Sequence, residues 1–190
     1  MKLWVGIDCG KTGGFATIDE HGSVNSYHTP SFTTRTKKRG KSKSGKTRYS
    51  SKTEYNLQGM LDLFATLPDA YEITVAIEQQ RQRPGDAKQV VFQVGYGMGL
   101  WDMACMASNL TNVVKVLPSQ WKPCYVEVGA DKAASLAKCK ELYPEHELPL
   151  AKDEARAEAI LIADYIRRKE LGLEYPRAPQ PKPKRTKKTT

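Results

Sequence analysis

Apolar and polar positions follow two rhythms along this chain. Leu3–Asp8, Gly14–Ile18 and Val24–His28 are short runs separated by turns that carry glycine. They predict three strands in a meander. Ser31–Thr53 has almost no apolar residues and predicts a mobile loop or extended hairpin outside any core. Within Glu54–Leu67, Leu57, Met60, Leu61 and Phe64 recur at helical spacing, and Pro68 ends the segment. Ile73–Glu78 is a continuous apolar run of the buried-strand kind. Gln89–Asn109 predicts a helix in spite of Gly95, Gly97 and Gly99, which weaken it unless another backbone packs close or the helix kinks. Asn112–Leu117 predicts a further buried strand. Asp131–Tyr143 and Glu154–Leu171 predict two more helices. The order βββ, α, β, α, β, α, α implies an α/β protein with a mixed five-stranded sheet. Three antiparallel strands come first, later strands enter through helical crossovers, and helices flank the sheet.

Charge changes this picture by its placement. The 190 residues suit one domain and carry 30 basic and 21 acidic side chains, a formal net charge of +9. Residues 31–53 hold nine basic residues and no acid: Arg35, Lys37, Lys38, Arg39, Lys41, Lys43, Lys46, Arg48 and Lys52. Residues 176–190 hold six more, again with no acid, among four prolines. The remainder is net −6. The expected organisation is a domain over 1–175, a basic insertion at about 31–53 and a basic tail over 176–190. A mildly acidic body with two basic arms is suited to gripping a polyanion such as nucleic acid, although basic tails also serve solubility. No apolar run approaches the roughly 20 residues of a membrane span, and the N-terminus lacks a secretory pattern. The four scattered cysteines form no CxxC pair and suit a reducing, cytoplasmic interior.

Four acids stand where a solvated surface charge is not expected. Asp8 closes the strand LWVGID, and Glu78 closes ITVAIE. Glu154 and Glu158 share one face of the helix KDEARAEAILIADY, one turn apart. A buried carboxylate needs a counter-charge. If the first and fourth strands are neighbours, their acids meet, and a helix packed on the sheet brings Glu154 and Glu158 to the same point. Four oxygen donors suit hard divalent cations, Mg²⁺ or Mn²⁺, and two ions roughly 4 Å apart clamp a phosphodiester. Each acid also has a plainer reading. Asp8 suits an Asx turn onto Gly10, Glu78 a strand-end polar position, and Glu154 and Glu158 the positive end of a helix dipole. Asp153 suits a helix N-cap. The glycines after Asp8 suit a tight turn and close approach of a phosphate backbone.

The motifs VGIDCGKTGGFATID, VAIEQQ, VLPSQWK with DKAASLAKCKELYP, and KDEARAEAILIADY occur in this order. Together they resemble the RuvC family of Holliday junction resolvases, in the form found in bacteriophages and plastids. The resemblance runs from about Leu3 to Tyr165. It implies a ribonuclease H-like fold, a homodimer and two Mg²⁺ or Mn²⁺ ions. It also implies paired nicking of four-way DNA junctions to leave 5′-phosphate and 3′-hydroxyl ends. Asp8, Glu78 and Glu158 match the family's catalytic, metal-binding acids, and Glu154 matches a position that is Asp or His in many relatives. Lys122 and Lys132 resemble basic residues that face DNA, and Lys11 and Thr12 are candidates for phosphate contact. The glycine-bearing helix at Gly95, Gly97 and Gly99 matches the dimer interface, with packing inside the chain as the alternative. The basic insertion would extend the DNA surface, with Tyr49 and Tyr55 as candidates for stacking on an unpaired base. No membrane or nucleotide cofactor is implied. The expected location is the cytoplasm of a bacterial or phage-infected cell, with a plastid as the alternative, although no transit peptide is seen.

Three other readings share some of these residues. IDCGKTGG fits the first phosphate loop of actin-like ATPases, but those need a second lobe. Nucleases of the same fold act on flapped or branched DNA or on RNA/DNA hybrids. A non-catalytic DNA-binding protein would not need four acids.

Overall fold

The computed structural model describes residues 1–41, 47–81, 85–127 and 129–177. Lys43, Lys46 and the tail from residue 178 lie outside the described residues, as do the side chains of Lys41, Arg48 and Lys132. The chain begins with β1 (Lys2–Asp8), β2 (Gly14–Asp19) and β3 (Val24–His28). A hairpin follows, β4 (Ser31–Lys41) and β5 (Thr47–Tyr55), and then α1 (Leu57–Ala65). Next come β6 (Glu72–Glu78), α2 (Lys88–Ala107), β7 (Val113–Val116) and the short α3 (Pro118–Trp121). The helices α4 (Lys132–Leu142) and α5 (Glu154–Leu171) complete the order.

Five strands form one sheet in the order β3-β2-β1-β6-β7. The β1–β2 and β2–β3 pairs are antiparallel, and β1–β6 and β6–β7 are parallel. This is the mixed sheet that the sequence predicts. Side chains alternate across β1, so its two faces build two cores. Trp4 joins the core made with α4 and α5, which includes Trp121, Tyr125 and Ile160. Val5 and Ile7 join the core made with α1 and α2, in which Phe15, Phe64 and Trp101 form ring pairs at 5.4–6.1 Å. Helix α5 is buried from Ala157 through Asp164, which accounts for the run of apolar residues there. Among the described residues no helix is long and apolar enough to cross a membrane.

Local chemistry explains the departures from the sequence reading. Helix α1 starts at Leu57, not Glu54, because Tyr55 still pairs in β5 and the Asn56 side chain accepts from the Gly59 N–H at 3.1 Å. The insertion is a hairpin whose strands form their own two-stranded sheet, with a register shift between Lys37 and Lys41 and Gly40 at φ +82°. Helix α3 and the 3₁₀ turn Lys122–Cys124 were not anticipated. Pro118 at the first helical position pre-sets the backbone there.

Candidate active site

Ile7 pairs with Ile77 in the parallel β1–β6 register, so Asp8 and Glu78 leave adjacent strands side by side. Alternation directs both toward α5. Glu158 approaches from α5 itself, and all three acids are buried. The glycines explain how the helix comes so close. A Cβ at Gly14 would overlap the Ala155 carbonyl oxygen, and one at Gly13 would overlap the Asp8 carbonyl. Gly13 and Gly14 are therefore required by packing within the chain. Their role as an opening for phosphate is not needed to account for Gly13 and Gly14.

The carboxylate oxygens have specific partners. Gln80 Nε2 donates to Asp8 Oδ1 at 3.4 Å and to Glu78 Oε2 at 3.3 Å. The Trp121 indole Nε1 donates to Glu78 Oε1 at 3.0 Å. Lys122 Nζ lies 2.6 Å from Glu158 Oε1, and Ser135 Oγ donates to the same oxygen at 3.5 Å. The Gly10 N–H donates to Asp8 Oδ1 at 3.4 Å, so the Asx-turn geometry coexists with the cluster. Burial, followed by the charge of Asp8, pushes the Glu78 carboxyl up to about 7. Glu158 pushes the same way, while Lys122 and the Trp121 hydrogen bond oppose it. Burial, then Asp8 and Glu78, pushes the Cys9 thiol up to about 12, which makes it an inert neighbour.

Glu154 is half-buried one turn before Glu158, and no hydrogen bond or ion pair joins its carboxylate to another described residue. Asp153 occupies the N-cap position, yet its carboxylate does not cap α5. It accepts from the Leu150 N–H at 2.9 Å, from Arg156 at 3.2 Å and from His28 at 3.2 Å. Burial raises its pKa, but these donors outweigh burial and hold it below the usual carboxylate range. Among the described residues, no three His, Cys, Asp or Glu side chains are assembled to hold a metal as they stand. The donor chemistry nevertheless fits a hard divalent cation. Asp8, Glu78 and Glu158 are buried together, and after burial itself the charges of Asp8 and Glu158 already raise Glu78.

The other sequence candidates lie on several elements. Lys11 and Thr12 sit in the turn after β1, with Lys11 Nζ 5.9 Å from the Tyr55 ring. The Lys122 ammonium is directed at Glu158. Lys132 is the first residue of α4, behind the Asp131 N-cap. Arg35, Lys37, Lys38 and Arg39 are exposed on β4. Tyr49 is 54% exposed, and the Arg35 guanidinium lies 5.2 Å from its ring. Tyr55 is not a stacking platform. It is 7% exposed, and its hydroxyl donates to the Cys9 carbonyl at 3.0 Å. Gly97 packs inside the chain, where a Cβ would overlap the Tyr55 hydroxyl and lie 2.8 Å from the Cys9 carbonyl. Gly95 and Gly99 face open space. Gln80, Trp121 and Ser135 escaped the sequence reading. The signal for Gln80 was a glutamine two residues beyond a strand-end acid, and for Trp121 a tryptophan in a short polar turn.

No family model matches the sequence, and a search of curated proteins finds no match. Solved structures do match. The chain is similar to RuvC of Thermus thermophilus in complex with a Holliday junction substrate, with a TM-score of 0.57 and 16% identity. That match covers 92% of this chain and 99% of the other. It is also similar to a structure of Thermus thermophilus RuvC without that description, with a TM-score of 0.52, 16% identity and coverage of 91% and 98%. The chain thus shares the fold of these RuvC structures.

Proposed function

We propose that this chain is a structure-specific DNA endonuclease that resolves four-way junctions. It would hydrolyse phosphodiesters in symmetric pairs and leave 5′-phosphate and 3′-hydroxyl ends. The observation that carries this reading is the buried grouping of Asp8, Glu78 and Glu158 at the carboxyl edge of a RuvC-type sheet. Ligands of open α/β sheets bind at that edge. The similarity to a RuvC that is bound to a junction supports the substrate class.

Asp8, Glu78 and Glu158 are the residues that would hold two Mg²⁺ or Mn²⁺ ions, with Glu154 one turn away as the fourth donor. Bound divalent ions supply an activated water and stabilise the leaving oxygen. The chain's own residues bind and orient. Lys122 sits at the cluster, where it neutralises charge. Lys11 and Thr12 border the turn after Asp8. Arg35, Lys37, Lys38 and Arg39 offer exposed cations to phosphates, and Tyr49 offers a ring face to an unpaired base. Two such sites are needed for paired nicks, and the exposed apolar face of α2 is the surface through which a second copy would pair.

The test is cleavage of a labelled four-way junction beside a flap, a duplex and an RNA/DNA hybrid, with Mg²⁺ and with EDTA. Symmetric paired nicks on the junction, abolished by EDTA, are expected. Preferential cleavage of the flap or hybrid, or cleavage that survives EDTA, would overturn the assignment.

A further inference from the structure

Two consecutive residues on one turn grip two of the acids Asp8, Glu78 and Glu158. Trp121 donates to Glu78, which lies on β6, at 3.0 Å. Lys122 pairs with Glu158, which lies on α5, at 2.6 Å. The turn follows β7, the strand next to β6, so it leaves the sheet beside the acid cluster.

The two grips differ in kind. Trp121 is fully buried in the core with Tyr125 and Ile160, and its ring cannot turn away without opening that core. An indole has one donor and no charge. It fixes Glu78 Oε1 and does not repel a cation on the carboxylate. Lys122 is 34% exposed and ends in a compact point charge on a flexible four-carbon stem. Its ammonium and a divalent ion cannot share Glu158 Oε1 without strong repulsion.

We propose that Trp121 and Lys122 divide the work of positioning the acids. Trp121 holds Glu78 permanently, and Lys122 is an exchangeable counter-ion that neutralises Glu158 until a divalent cation displaces its ammonium. This rests on the reading of the acids as a divalent-cation site.

The experiment is calorimetric titration of the full chain with Mn²⁺ in the absence of DNA, paired with thermal melting in EDTA and in Mn²⁺. Lys122→Met is expected to bind Mn²⁺ on the order of tenfold more tightly than the unmodified chain. It should melt lower in EDTA and gain more from Mn²⁺. Lys122→Arg should restore the original affinity. Trp121→Phe keeps the aromatic packing but loses the donor, and should bind Mn²⁺ several-fold more weakly. Lys122→Gln provides the same test if Lys122→Met does not fold. Unmodified affinity in folded Lys122→Met or Lys122→Gln, while the unmodified chain binds Mn²⁺, overturns the exchange alone. Unmodified affinity in Trp121→Phe overturns the permanent grip. If the unmodified chain binds no Mn²⁺, this inference and the cation-site reading fail together.

Discussion

Gly6 on β1 and Ala159 on α5 meet backbone to backbone. A Cβ at position 6 would overlap the Ala159 carbonyl oxygen and lie 2.5 Å from the Ala163 amide nitrogen. Asp8 is two residues beyond Gly6, and Glu158 immediately precedes Ala159, so this contact sets their separation. Backbone cannot yield as a side-chain end does. Gly6→Ala is therefore expected to cost at least about 1–3 kcal/mol, the usual range for overpacking. It should also weaken Mn²⁺ binding, because the helix that carries Glu158 is pushed outward. Urea denaturation and Mn²⁺ titration check both effects. Full stability in the variant would show that the two elements separate freely.

Asp8→Asn keeps the shape of the side chain and removes its charge. Cleavage of a four-way junction should fall below detection, while junction binding stays within several-fold, because the cations that would grip phosphate lie elsewhere. Gel-shift and nicking assays on one preparation separate the two. Retained nicking would show that Asp8 is not part of the chemistry.

Glu78 ties stability to pH. Its folded pKa of about 7 lies above its ordinary 4.5, with burial and then Asp8 as causes. Between those values the folded state holds a proton that the unfolded state releases, so stability falls as pH rises from about 4.5 to 7 and then levels off. The size of the loss is about 3.5 kcal/mol at most, at roughly 1.4 kcal/mol per pH unit. Denaturant unfolding in EDTA from pH 4.5 to 8 should show this slope, and Glu78→Gln should remove it. Divalent-ion binding should tighten over the same window, because Glu78 must lose its proton to become a ligand.

Much of this was legible in the residues. The apolar spacing of Glu154–Leu171 placed α5 correctly, and of the four acids the sequence grouped, Asp8, Glu78 and Glu158 are buried together while Glu154 stands half-buried one turn before Glu158. Alternation and period operate within one element, so they are readable in one dimension. What escaped depends on pairs far apart in the chain. Gly6 and Gly14 owe their identity to α5, about 150 residues later, and no local pattern announces that. Tyr55 looked like a free aromatic in a basic arm because its partner, the Cys9 carbonyl, is a backbone atom 46 positions away. Trp121 sat in a stretch too short for any periodicity to register.

The basic hairpin predicts a salt effect. Replacing Lys37, Lys38 and Arg39 with glutamine should weaken junction binding and flatten its dependence on salt. Each lost phosphate contact should reduce the slope by about 0.9. The distribution of cut sites should not change, because phosphate contacts carry no sequence information. Deletion of Lys182–Thr190 should act in the same way on charge grounds. Fluorescence anisotropy across a salt series measures the slope, and an unchanged slope would show that the deleted or substituted charges do not touch DNA.

The outer face of α2 predicts association. Phe92 is 66% exposed and Met106 69%, and Tyr96 and Met103 lie between them at helical spacing. Phe92 and Tyr96 stack on one another at 6.1 Å. Gly95 and Gly99, with open space above them, interrupt this row and leave room for another helix to cross closely. A row of this kind marks an interaction surface. The chain is therefore expected to sediment at twice its 21.2 kDa. Met103→Asp should shift it to the single-chain mass and convert paired nicks into single, uncoupled ones. A Cβ at Gly99 meets nothing within 4 Å, so Gly99→Ala should leave the stability of the fold intact and weaken only association. Sedimentation of the unmodified protein at 21.2 kDa at micromolar concentration would remove the basis for paired cutting by two copies.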